Sequence, residues 1–413
     1  MKNYKVIKKC RSCKSTNIKS LFDIGNLYIS SWLTEKDQEK VIRSPLELMI
    51  CSKCNLVQLK HTVNKNFLYS KDYGYRSGTN LTMNSHLKNL VKDISNKVNI
   101  DNDDFVLDIG CNDGTLLSFY RKSIKKIGID PIANKIKKIK TPNTKYISNY
   151  FSRQLYNNLP NIRKAKIITS ISMFYDLDDP MKFVSNIKSI LDDHGIWVLE
   201  QSYLPTMLKK NSFDTICHEH LEYYSLDHIN FLVKKNNLKI IDVSLNETNG
   251  GSFRIYVTHS KTKHKINTKN INKLKIIEKK LKITNNSTYK NFYKNILQIK
   301  STTQKFIKNE LNKNKKIFIY GASTKGITIL QFYNFTSKEM KYAAERNPNK
   351  YNKIVPGTGI KIISEKKARA MKPDYFFVLP WHFKDEIIKR EKDFINKGGK
   401  LIFPLPNLKI VKK

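Results

Sequence analysis

The chain has 413 residues and a formal charge of +41, from 76 Lys and Arg against 35 Asp and Glu. That length holds two or three domains with sizeable cores, and the supply of aliphatic and aromatic side chains excludes a disordered polymer. No run of about 18 apolar residues occurs and the charged start has no apolar stretch behind it, so a soluble cytoplasmic protein without a membrane partner is expected.

The charge raises nucleic acid as a partner, because clustered cations release counterions on binding phosphates. Here, however, Lys is spread through every segment beside equally inflated Asn and Ile. We read a compositional bias, which still favours attraction of a phosphorylated small molecule.

Taken in order, the chain first shows four of its six cysteines as Cys10-Arg-Ser-Cys13 and Cys51-Ser-Lys-Cys54. Two such knuckles supply four thiolates to one ion, a closed tetrahedral site for structural Zn2+ with no open position for catalysis. Short strands are expected at 21–25 and 45–50, giving a small β-rich module. The following stretch, Asp72-Tyr-Gly-Tyr-Arg-Ser-Gly78, carries Tyr73, Tyr75 and Arg76 and could close over a site with phenol and guanidinium donors; an ordinary linker is the alternative. A helix is expected over 80–96.

From 104 to 259 strands and helices alternate. Strands are expected at 105–109, 126–130, 145–147, 166–170, 195–201, 239–244 and 252–258, the last two joined by a hairpin-like turn. Seven strands with a closing antiparallel pair are what a class I S-adenosylmethionine methyltransferase needs. The first strand ends at Asp108 and runs into Gly110-Cys-Asn-Asp-Gly114, where glycines let a bulky ligand approach the backbone and a helix N-terminus follows. Asp130 ends the second strand about 20 residues on, where an acid grips a ribose diol. Asp108, Gly110, Asn112, Gly114, Asp130 and Ser170 are therefore the cofactor candidates.

The fifth strand leads into Asp214-Thr-Ile-Cys-His-Glu-His-Leu-Glu-Tyr-Tyr-Ser225. Histidine titrates near neutral pH, which suits proton abstraction, and an adjacent carboxylate can orient it. The two histidines are too close for a zincin helix, which needs them four apart. His218, Glu219 and His220 are catalytic candidates and Tyr223 a substrate contact.

Residues 263–312 read as solvated connecting helices. The last hundred residues repeat the nucleotide-fold logic. A strand enters Gly321-Ala-Ser-Thr-Lys-Gly326, with Ser323 and Lys325 placed to meet phosphate. Further strands are expected near 342–345, 373–379 and 400–403. The Gly turn alone is weak support for a second nucleotide site, since it can be purely structural.

Together these motifs resemble the three-domain C-methyltransferases that act on nucleotide-linked keto sugars. Its carriers are the four cysteines, the 72–78 and 106–114 stretches, Cys217-His-Glu-His220, Gly250-Gly-Ser-Phe-Arg254, the 321–326 turn, Asn347-Pro348 and Pro356-Gly-Thr358. The likeness implies an N-terminal zinc-binding domain (1–75), a central S-adenosylmethionine domain (76–262), a helical connector (263–312) and a C-terminal Rossmann-like domain (313–413) that helps hold a sugar nucleotide. It also implies that Glu219-His220 supplies the general base and that Tyr73 or Tyr75 faces the sugar. Where family members often carry Tyr before His-Glu-His, this chain has Cys217, which leaves the sugar open. Three other readings stand beside this one: a zinc-ribbon RNA methyltransferase, an N- or O-methyltransferase of a sugar nucleotide, and a non-catalytic sugar-nucleotide binder. A monomer or weak dimer is expected.

Overall fold

A computed structural model of the chain describes residues 3–30, 34, 41–68, 76–79 and 81–413. Tyr73 and Tyr75 lie outside the described residues. No helix among those described is long and apolar enough to cross a membrane.

The N-terminal segment gives β1 (Tyr4–Val6), β2 (Ile18–Tyr28), β3 (Arg43–Cys51), β4 (Val57–Leu59) and β5 (His61–Val63). β2, β3 and β4 form an antiparallel meander, and β1 pairs with β5. The strands are longer than the apolar runs suggest because β2 carries bulges that let polar residues pair;.

The central segment contributes β6 (Phe105–Ile109), β7 (Lys125–Ile129), β8 (Thr144–Ile147), β9 (Ala165–Ile171) and β10 (Leu191–Ser202). Next comes β11 (Glu222–Tyr223), which joins the N-terminal sheet by pairing antiparallel with β4. β12 (Leu238–Asn246) and β13 (Ser252–His259) complete the central sheet in the order β12-β13-β10-β9-β6-β7-β8, with β13 antiparallel to both neighbours. This is the seven-stranded class I methyltransferase sheet.

Its apolar strands are covered on both faces, as a largely parallel sheet requires. Leu107 and Ile109 enter one core with Trp197 and Phe183, while Val106 enters the other with Val198 and Leu90. The helix Leu81–Ser95 seals the second face through Met83, Leu87, Leu90, Val91 and Ile94. On the first face Pro180–Ile190 starts with Pro after Asp179, whose carboxylate accepts the Lys182 N–H at 3.0 Å;.

The connecting segment forms two helices, Thr268–Leu281 and Asn286–Asn312. The second is less solvated than its Lys content suggests. Tyr289, Phe292, Ile296, Ile299 and Ile307 make a stripe at helical spacing, which packs into a core shared with the N-terminal and C-terminal sheets;. The C-terminal sheet has six strands: β14 (Ile317–Tyr320), β15 (Tyr342–Glu345), β16 (Lys361–Ser364), β17 (Tyr375–Val378), β18 (Lys400–Phe403) and β19 (Lys409–Val411). Its order is β16-β15-β14-β17-β18-β19, parallel except for the last pair.

Candidate active site

In the central sheet the strand order reverses at β6, with β7 on one side and β9 on the other. Ligands of such sheets sit outside the carboxyl ends at this point. A cavity of 330 Å3 lies there, walled by the residues after β6, β7 and β9. Asp108, Gly110, Asn112 and Asp130 line it. Gly110 has φ +77°, and a Cβ there would stand 2.9 Å from Met173 Cγ, so the close turn requires glycine;. Asp130 accepts the N–H of Asn112 and of Ile132, both at 2.9 Å, which fixes its carboxylate at the rim. The Asn112 side chain in turn accepts the Ser77 N–H at 3.1 Å, drawing the segment after Arg76 against the turn. Burial pushes the Asp108 carboxyl up to about 7, opposed by a 2.6 Å bond from Thr169 Oγ1;.

Two candidates stand off this wall. Gly114 caps the short helix Thr115–Ser118 and leaves room for the Tyr146 ring. Ser170 is buried within β9, where its hydroxyl accepts the Trp197 indole N–H at 3.2 Å. Their neighbours Ile171, Ser172 and Met173 reach the cavity instead, together with Asp176. The donor set of the crevice fits S-adenosylmethionine: two acids, Asp108 and Asp130, suit its cationic end and its diol, and Met83, Leu87 and Phe183 offer apolar wall;.

The four knuckle thiols converge, with all Sγ atoms within 4.8 Å of one another. Cys10 and Cys54 are 3.6 Å apart and Cys13 and Cys51 3.5 Å. Tetrahedral zinc with bonds of about 2.3 Å needs sulfur–sulfur edges of about 3.8 Å, so the donor set fits structural zinc. The Cys54 carbonyl accepts from His228 Nδ1 at 2.8 Å, tying the knuckle to the helix Leu226–Lys235 of the central segment.

The two histidines of the loop between β10 and β11 have different settings. His218 is buried and its Nε2–H donates to the Ser44 carbonyl of β3 at 2.9 Å, so it straps the loop to the N-terminal sheet. Burial holds its imidazole down at about 4. His220 is half-buried, and its Nδ1–H donates to the Thr215 carbonyl at 2.8 Å. That bond fixes the tautomer and leaves the lone pair on Nε2. Burial and the charge of Lys325 keep this ring neutral down to about 3. The Tyr175 ring packs on it, centroids 4.2 Å apart, one residue before the cavity-lining Asp176.

Glu219 is buried, and burial raises its carboxyl. Among the described residues no hydrogen bond joins Glu219 to either histidine. Tyr223 is buried in β11 and shares a pocket of 10 Å3 with His220, Thr215 and Glu222.

The C-terminal segment closes the far side. Lys325 Nζ donates to the Asn249 carbonyl at 2.8 Å and lies 3.4 Å from Thr215 Oγ1. Ser323 caps the helix Thr324–Phe332, its Oγ accepting the Gly326 N–H at 3.1 Å. Asp214, Asn249 and His382 surround Lys325, and none of them is among the candidates read from sequence. Asp214 is buried and accepts the Trp381 indole N–H at 2.9 Å, with burial raising its carboxyl. Asn249, in the left-handed region at φ +55°, also donates to Ser172 Oγ at 3.3 Å. Only the Asn-Gly-Gly turn chemistry flagged that position.

Three family descriptions match in sequence: a zinc binding domain over residues 10–69, a methyltransferase domain over 82–243, and a C-methyltransferase C-terminal domain over 247–406. The chain is 25% identical over 409 residues to the C-methyltransferase NovU of Streptomyces niveus, covering 98% of this chain and 97% of that protein. Solved structures similar in fold include magnesium protoporphyrin IX methyltransferase from Synechocystis with bound S-adenosylhomocysteine, at 13% identity and TM-score 0.34 over 44% of this chain and 88% of that one. Another is an S-adenosylmethionine-dependent methyltransferase from Clostridium acetobutylicum, at 13% identity and TM-score 0.32 over 43% and 92%. Superpositions this loose add nothing to the sequence matches. With zinc-binding, methyltransferase and C-terminal segments in that order, and a likeness to NovU from end to end, the chain belongs to the C-methyltransferase family.

Proposed function

We propose that this C-methyltransferase methylates a carbon next to the ketone of a nucleoside-diphosphate-linked deoxy sugar, with His220 as the general base. The observation that carries this reading is the fixed tautomer of His220: Nδ1–H is committed to Thr215, so a neutral Nε2 lone pair is available beside the cofactor crevice. A ketone acidifies the neighbouring C–H enough for a neutral imidazole to remove the proton. S-adenosylmethionine supplies the methyl group as a sulfonium and leaves as a neutral thioether. Asp108 and Asp130 would hold it, and Gly110 and Asn112 shape the turn between them. Ser77, drawn in by Asn112, helps exclude water.

His218 acts through position, since its Nε2 is spent on Ser44. Glu219 contributes from its buried place behind the loop, and Tyr223 lines the pocket adjoining His220. Arg76 and Ser323 are the candidates to grip a diphosphate, and Tyr73 or Tyr75, outside the described residues, the candidates to meet the sugar. Residues 1–75, 76–262, 263–312 and 313–413 divide the work as zinc module, methyl-transfer domain, connector and substrate-holding domain.

His220→Asn tests the assignment. With a nucleoside-diphosphate 4-keto-6-deoxyhexose in deuterated water and no cofactor, the wild type should exchange the hydrogen beside the ketone. The variant should lose exchange and methyl transfer together, by about a hundredfold or more. Exchange at the wild-type rate in the variant would remove His220 as the base.

A further inference from the structure

Where the central and C-terminal segments meet, Lys325 is held against the stretch that leads to His220. Lys325 Nζ lies 3.4 Å from Thr215 Oγ1, and the carbonyl of that same Thr215 holds the His220 ring at 2.8 Å. The ammonium is therefore one residue away from His220, across Thr215, and its charge acts on that imidazole. It is held there from two directions. The Asn249 carbonyl of the central segment accepts its hydrogen bond at 2.8 Å, and the helix Thr324–Phe332 supports it from the C-terminal sheet. Asp214 and His382 stand around it: the Asp214 carboxyl is bonded to Trp381, and His382 has a buried Nδ1 without a hydrogen bond among the described residues. Burial, and after it the Lys325 charge, holds the imidazoles of both His220 and His382 down at about 3.

Resting on the keto-sugar reading above, we propose that Lys325 is a catalytic residue: its ammonium donates to the ketone oxygen of the substrate and takes up the negative charge that develops there as the neighbouring C–H is broken. The proton goes to His220 Nε2. The electron pair of the C–H bond becomes the C=C bond of an enolate, and the carbonyl pair moves to the oxygen bonded by Lys325. When the carbon then takes the methyl group, the pair returns from oxygen and the C=O bond is restored.

Geometry separates this role from phosphate binding. The oxygen that gains charge is one bond beyond the carbon next to the acidic one, so it must lie within a few ångströms of the base. A diphosphate is attached on the far side of the sugar ring. Donors fixed in place where charge develops contribute most to such a step, about a hundredfold to a thousandfold each.

The test compares Lys325→Met, Lys325→Gln and Lys325→Arg with the wild type. The readouts are cofactor-free deuterium exchange at saturating nucleoside-diphosphate 4-keto-6-deoxyhexose, affinity for the free nucleoside diphosphate, and calorimetric binding of S-adenosylmethionine as a check on folding. Lys325→Met and Lys325→Gln should lose exchange by about a hundredfold or more, with nucleoside diphosphate affinity within about twofold of wild type and Lys325→Arg retaining part of the rate. The pH–rate profile should also move: without the Lys325 charge, the imidazole of His220 protonates at a higher pH, so the acid limb shifts upward;. Wild-type exchange at saturation in the variants, or a loss confined to nucleoside diphosphate affinity, would overturn the proposal and return Lys325 to the diphosphate. Absence of exchange in the wild type is a separate result that defeats the keto-sugar reading itself, and the role of Lys325 with it.

Discussion

The chain contains two strand-glycine-helix turns of the same kind, at Gly110 after β6 and at Gly321 after β14, and they have opposite fates. Each follows the first strand of a mostly parallel sheet, and each has an acid ending the neighbouring strand, Asp130 in one and Glu345 in the other. At the first turn, among the described residues, Asp130 bonds only backbone N–H groups, and the space beyond is a 330 Å3 cavity. At the second, Glu345 accepts the Ala322 N–H at 2.9 Å, Lys350 Nζ donates to the Ala322 carbonyl at 2.7 Å, and the two side chains pair at 3.7 Å. Pro380 leans on Gly321, leaving no room for a Cβ. The chain's own ion pair lies against the second turn, whereas the first turn opens on the cavity. One motif walls a cavity, and the other starts the helix that carries Lys325.

The sharpest way to break this contrast is to remove each acid in turn. Asp130→Ala should weaken S-adenosylmethionine binding by about tenfold to a hundredfold in calorimetry, whereas Glu345→Ala should leave it unchanged. Equal losses would mean that both turns serve a nucleotide.

A smaller effect comes from Asp108. Its carboxyl is raised by burial to about 7 from an ordinary value of 3.8, so it is neutral below that point and ionised above it. A cationic cofactor prefers the carboxylate. Affinity should therefore fall as pH drops below about 7, by at most about tenfold per unit, and level off above about 8. Asp108→Asn should abolish that dependence, and a pH-independent affinity in the wild type would place the cofactor's charge elsewhere.

The smallest effect should come from Glu345→Gln, which removes the carboxylate charge facing Lys350 and leaves its bond to the Ala322 carbonyl. A loss of about 1 kcal/mol in thermal unfolding is expected, with the methyl-transfer rate retained.

The legibility of these regions in the sequence follows the range of the interactions. The strands at 105–109 and 375–378 were readable because a short apolar run buried on two faces, interrupted only by Asp108 in the first, declares itself locally. The four cysteines were readable because metal geometry fixes their spacing. The difference between His218 and His220 was not, since it depends on a carbonyl at Ser44, 174 residues away. Ser170 shows a subtler limit: alternation along β9 sends its hydroxyl to Trp197, while Ser172, two residues on and past the strand end, reaches the cavity. The filling of the second turn depended on Lys350, which nothing local distinguishes from the many other lysines.

The pairing of β11 with β4 bears on how the protein is made. Glu222 and Tyr223 complete the N-terminal sheet by pairing with Gln58 and Val57, so the first sixty residues emerge from the ribosome with one edge unsatisfied. At about 5–20 residues per second, that edge stays open for roughly ten to thirty seconds, during which it can pair with another chain. The knuckle cysteines at 51 and 54 are complete long before then. A metal bound early would hold the open sheet in register until the strand that follows His220 arrives to close it.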